Sequence, residues 1–231
     1  PYYVAEKRWE EDKGAYVFYR VGMTGTEVPL RGAARRYMLS ENQADYPEPE
    51  SGCGPTALLN LYVWYSKFGL VNETVQHANP DRYKQIKFQQ IDRKITEIKG
   101  QNRADTGGTN SLELVVAMEE IMAASGNQDI RLHFEIKDAP LTMSDFLNIT
   151  RGYRAGILVA RPFFDGRLQG HHAVLVIAGD RSGRITLANW GEFAIGRLVK
   201  RGNEQWFVPE DKRQPELLVL RLTTLIPFKP K

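Results

Sequence analysis

Segments with helical apolar spacing fill the middle of this chain and short strand-like runs fill its last third, and that order constrains the fold most strongly. From about Pro55 to Phe68, Leu58, Leu61 and Tyr65 share one stripe, with Leu59, Tyr62 and Val63 beside it. So broad an apolar face predicts a helix buried between other elements. Phe88, Ile91, Ile95 and Ile98 recur at helical spacing within the polar stretch 72–110. Ser111 precedes a third such segment (Leu112, Val115, Val116, Met118, Met122), which Gly126 ends. Leu132–Ile136 then alternates like a half-buried strand, and Ser144 begins a short helix. Six runs read as strands: Ile157–Ala160, Ala173–Ala178, Ile185–Ala188, Arg197–Lys200, Gln205–Val208 and Leu217–Leu222. Helices followed by strands predict the α+β class, with a helical part and an antiparallel β part. Residues 1–40, with a strand at Ala15–Val21, read as an N-terminal extension packed on a main domain over 41–231. At 231 residues and 42% hydrophobic, the chain can bury a sizeable core.

Cys53 is the only cysteine, and it opens the first helical segment in Ser51-Gly52-Cys53-Gly54-Pro55-Thr56-Ala57. A lone thiol makes neither an internal disulfide nor a multi-thiolate metal site. Pro55 suits the first turn of a helix, where its missing N–H costs nothing. Unpaired amides and the helix dipole at that end favour negative charge, so the expectation is a lowered thiol pKa and an enriched thiolate. The alternative is a small cysteine buried in a core helix.

Downstream, Gly170-His171-His172-Ala173-Val174 places two histidines at the head of a strand-like run. The next run ends in Asn189-Trp190, and Asp180-Arg181-Ser182-Gly183 between them reads as a hairpin turn. An antiparallel hairpin of this length returns Asn189 to the histidines. Neighbouring residues on a strand face opposite sides, so only one of His171 and His172 can face Cys53. Cys, then His, then Asn is an order suited to a nucleophile, its base and the group that orients the base.

Cys53-Gly54-Pro55-Thr56-Ala57 opening a helix, preceded by Gln43 in Asn42-Gln43-Ala44-Asp45-Tyr46-Pro47, resembles the C39-like branch of the papain-fold cysteine peptidases. His172-Ala173-Val174 and Asn189-Trp190-Gly191 resemble the His-Ala-Val and Asn-Ser-Trp-Gly segments of papain proper, the latter with one residue missing. Leu141–Phe146 through Gly156–Val159 is similar to the helix and strand that precede the histidine in C39-like domains. The likeness spans roughly residues 40–200. It implies a papain-like fold with Cys on a helical part and His and Asn on a β part. Within it, Cys53 is the nucleophile, His172 the base and acid, and Asn189 the orienter. Gln43 donates to the oxyanion together with the Cys53 backbone N–H. His172 precedes Ala-Val as in papain and is the preferred base. His171 remains the alternative, or else a substrate contact at the rim. Trp190 is a second candidate substrate contact, shielding the His–Asn pair, or a core aromatic. His172 is expected to hold the thiol proton as an imidazolium and stabilise the thiolate.

The remaining histidines, His77 and His133, read as structural, and the spacing of Cys and His gives no zinc site. Gly107-Gly108 lacks the Gly-Lys of a phosphate loop, and no other cofactor is implied. Residues 1–150 carry 17 basic and 21 acidic side chains, whereas 151–231 carry 14 and 7. The excess positive charge of the last part is dispersed, without a dense basic run or an aromatic-interleaved patch, so nucleic acid is not an expected partner. No apolar stretch approaches the ~20 residues of a membrane span. The chain begins Pro1-Tyr2-Tyr3, which implies a processed or cloned start, and a secreted or periplasmic setting is favoured over a cytoplasmic one. The leading expectation is a cysteine-dependent hydrolase, a peptidase acting on a peptide or protein through a thioester. Acyl transfer (transpeptidation) or protein glutamine deamidation by the same triad, and a non-catalytic binding module of the same fold, are the alternatives.

Overall fold

The computed structural model of the chain describes residues 4–10, 15–21, 27–29, 43–67, 70–71, 80–106, 108–150, 154–179, 182–189 and 192–231. Among these residues it has both helices and strands and contains an antiparallel β-barrel. Three strands, β1 (Val4–Glu10), β2 (Ala15–Val21) and β3 (Glu27–Pro29), pair antiparallel in a separate small sheet. The helical part follows: α1 (Cys53–Lys67), α2 (Pro80–Lys99) and α3 (Ser111–Ala124). Then come β4 (Arg131–Asp138), α4 (Met143–Thr150), β5 (Gly156–Phe164), β6 (Arg167–Leu168), β7 (His172–Gly179), β8 (Arg184–Asn189), β9 (Glu192–Arg201), β10 (Glu204–Pro209) and β11 (Glu216–Phe228).

The barrel closes because β11 pairs with β10 near its start and also with β5, completing the circuit β5-β7-β8-β9-β10-β11. β4 continues the β10 edge of β11 along its second half, and β6 extends β5. Strand alternation separates two cores. Leu158, Val174, Val176, Leu187 and Leu217 point into the barrel. Ile157, Leu175, Ile177, Ala188 and Leu225 point out of it and pack with α1, α2 and α3. This explains why β5 and β7 read as continuous apolar runs: both of their faces are buried. Phe146 of α4, fully buried, reaches the barrel core beside Gly179, at the far end of β7 from His172.

Two side-chain links dock helices on the barrel. The Tyr65 hydroxyl on α1 contacts the carbonyls of Ala155 and Leu225, at 3.0 and 2.5 Å, and burial raises its pKa above the ordinary range. The Thr223 hydroxyl on β11 meets that of Ser111, the first residue of α3, at 2.9 Å. The cap of α3 is Asn110 rather than Ser111, because Glu113 stands at the matching position: Asn110 Oδ1 accepts from the Glu113 N–H and Glu113 accepts from the Asn110 N–H. Every strand read from the sequence is present, and helix starts shift by a few residues. His77, Asp180, Arg181 and Trp190 lie outside the described residues. His133 is exposed on β4.

Candidate active site

His172 is the first residue of β7 and Asn189 the last of β8. The register places Leu175 opposite Ala188, so the strand ends bring these two side chains together on one face. Both are buried, at 6% and 3% exposure, and His172 Nε2 lies 2.7 Å from Asn189 Oδ1. An amide oxygen only accepts, so Nε2 carries the proton and donates; Nδ1 is then the acceptor nitrogen of the ring. Cys53, Gln43, His172 and Asn189 line one narrow recess, with Thr56 and Asn60 of α1 on its wall. The four residues singled out by sequence as nucleophile, base, orienter and oxyanion donor therefore converge. His171 is exposed, and the histidine bonded to Asn189 is His172; the His171 carbonyl faces the Cys53 sulfur at 4.0 Å.

Electrostatics here differ from the sequence expectation. Cys53 sits at the helix N-terminus, and the backbone N–H groups of Ala173, Gly54 and Cys53 favour the thiolate, as does the more distant Arg103. Desolvation outweighs them and raises the thiol pKa. The same cause lowers His172 to about 4, against a smaller opposing effect of the Asn189 hydrogen bond. Both shifts favour a neutral thiol and a neutral imidazole over the thiolate–imidazolium pair expected. The reason is tertiary: α1 presses its N-terminus against the start of β7, and the desolvation this brings disfavours both charged forms although the thiol stays partly exposed.

The loop before Cys53 is assembled by contacts that sequence reading did not reveal. Arg103, on a short 3-10 turn (Arg103–Thr106) after α2, is completely buried. Its Nε donates to Asp92 at 2.7 Å, one terminal nitrogen to the Glu48 carbonyl at 2.8 Å and the Ser51 hydroxyl at 2.6 Å, and the other to the Pro47 carbonyl at 2.6 Å. Glu48 takes a left-handed backbone (φ 52), a conformation costing about 1 kcal/mol or more in a residue with a side chain, and Arg103 holds it there. Tyr46 stacks on Phe88 of α2 with ring centroids 4.2 Å apart. The Gln43 amide Nε2 donates to the Pro49 carbonyl at 2.5 Å, fixing the side chain across the turn that leads into Cys53. The only sequence signal for Arg103 was a charged residue beside a glycine-rich break; nothing in its spacing announced burial.

A wider groove of about 230 Å³ opens on the other side of Cys53, between the start of α3 and the outer face of β5 and β11. Lys99 at the end of α2, and Thr109 and Asn110 just before α3, line it. A Cβ on Gly54 would approach the Thr109 Cβ to 2.9 Å. That glycine therefore permits close packing of this wall on α1.

Among the described residues, no group of three or more His, Cys, Asp and Glu side chains converges as a metal site would require. No helix among them is long and apolar enough to cross a membrane. No family model matches the chain, and no curated protein matches it.

Proposed function

We propose that this chain is a cysteine-dependent hydrolase of papain-like fold, similar to C39-like peptidases, that cleaves peptide-like bonds through a thioester. The observation that carries the reading is the buried His172–Asn189 hydrogen bond at the wall of the recess that also holds Cys53 and Gln43. With Nε2–H committed to Asn189, Nδ1 accepts the Cys53 thiol proton as the sulfur attacks a carbonyl carbon. Because desolvation favours the neutral form of both groups, this transfer accompanies attack rather than preceding it. The carbonyl oxygen becomes an oxyanion, stabilised by the Cys53 backbone N–H and the Gln43 amide N–H. The imidazolium then returns its proton to the leaving amine, and water, deprotonated by His172, hydrolyses the thioester and regenerates the thiol.

The test is intact-mass analysis after treatment with a peptidyl vinyl sulfone. One adduct at Cys53 is expected, formed faster than by iodoacetamide and lost in His172→Ala. A vinyl sulfone that reacts no faster than iodoacetamide, with no effect of His172→Ala, would leave Cys53 an inert core residue and overturn the proposal.

A further inference from the structure

The groove beside Cys53 has one cation whose direction is set by an irregularity of the barrel. In β11, Leu217, Val219 and Leu222 all face the barrel interior. Two-residue alternation cannot connect Val219 to Leu222, and the register against β5 shifts there, from Val219↔Ala160 to Arg221↔Val159. The extra residue inverts the faces beyond it. Arg221 consequently shares the outer face with Thr223, which meets Ser111 of α3, and with Leu225, which packs in the helical core. Without the bulge Arg221 would point into the barrel; with it, Arg221 lines the groove that also contains Cys53 and His172.

The other charges in the groove are differently engaged. Lys99 is nearly buried against Glu113 at 3.0 Å, and Glu113 is itself committed to the α3 cap. Glu50 is the acid of the lining. Among the described residues Arg221 makes only a long ion pair, 3.6 Å from Nε to Asp138, whose carboxylate is 80% exposed and therefore screened by water. Its Nε is buried and has no hydrogen-bond partner among the described residues. A guanidinium held by such a pair retains donors for a carboxylate, which it binds in a planar two-pronged geometry. The groove has room for one or two side chains, not for a whole organic ligand.

We propose that the groove selects substrates bearing a carboxylate, bound by Arg221, within a few residues of the scissile bond. This rests on the hydrolase reading above and specifies its substrate class. The carboxylate has two possible sources, an acidic side chain on the acyl side or a free C-terminus on the leaving side. Peptidyl vinyl sulfones with Glu, Gln or Lys at each of the three positions before the warhead probe the first source. Peptide acids and the matching amides, competing for Cys53 against the Gln probe, probe the second. One of these pairs is expected to favour the carboxylate by roughly ten- to a hundredfold, the range of a charge-assisted hydrogen bond. Arg221→Ala should erase the preference without slowing iodoacetamide, and Arg221→Glu should reverse it towards Lys. If neither pair differs by more than about twofold in the wild type, or if the preference survives Arg221→Ala, the assignment is overturned. Equal labelling by all probes that still depends on His172 removes the carboxylate proposal alone. Probes no faster than iodoacetamide and indifferent to His172→Ala remove the hydrolase reading as well.

Discussion

The two halves of the candidate site are held in place by different means. His172 and Asn189 sit at the ends of paired barrel strands, so backbone register and alternation bring them together. Gln43 and the approach to Cys53 lie on a loop with little regular structure, organised by one buried arginine, one stacked tyrosine and a left-handed Glu48. The strand half resists substitution because many backbone hydrogen bonds share the task. The loop half concentrates it in a few side chains, so a single change there releases several contacts at once. A catalytic base needs a fixed tilt and tautomer, which a sheet supplies well. An oxyanion donor needs an amide aimed across a turn, which requires an irregular backbone that must be stabilised from outside.

This contrast can be tested by substitution. The largest effect is expected from Gln43→Ala: in the proposed role of oxyanion donor, its loss should lower turnover by about 10²–10³ with little change in substrate binding, because such a donor acts mainly on the transition state. An equal rise in KM would show Gln43 to be a substrate contact instead. Next comes Arg103→Ala. Removing one partner of a buried ion pair costs about 3–5 kcal/mol, and partial exposure of Asp92 places this case at the low end. Denaturant unfolding measures that loss, while turnover in the still-folded protein should fall as Gln43 loses its frame. Undiminished turnover would mean that the loop holds its shape without Arg103.

The smallest effect concerns pH and belongs to the strand half. His172 titrates at about 4 in the fold and near 6.5 when unfolded. Between these values the unfolded chain binds the additional proton, so the stability is complete above about pH 6.5 and declines as pH falls towards 4. The free-enzyme rate profile should accordingly keep its base competent to below pH 6. An acidic limb near 6.5 would show that the recess is wetter than its packing implies. It would also restore the preformed ion pair suggested by the position of Cys53 at a helix end.

Much of the architecture was legible in the chain because it depends on local periodicity. The segments around Leu58–Tyr65, Phe88–Ile98 and Leu112–Met122 are helices, and the six late apolar runs are strands, since spacing sets which face a side chain takes. The approach of Asn189 to His172 was legible too, because a short antiparallel hairpin leaves few other arrangements. Closure of the sheet into a barrel was not, for it depends on β11 pairing with β5, more than fifty residues away in sequence. Arg103 carried no periodic signal, and its burial exists only because carbonyls from residues 47 and 48 turn towards it.

By itself, then, the amino-acid order determined the class of elements, the lone thiol at a helix start, and the sequence of Cys, His and Asn. These follow from short-range sterics and spacing. Only the tertiary structure decided the protonation of the resting pair, the direction of Arg221 and the frame around Gln43. Each of these depends on what distant segments bring near: desolvation by the α1–β7 contact, a bulge in a strand shared by three neighbours, and hydrogen bonds from one buried guanidinium.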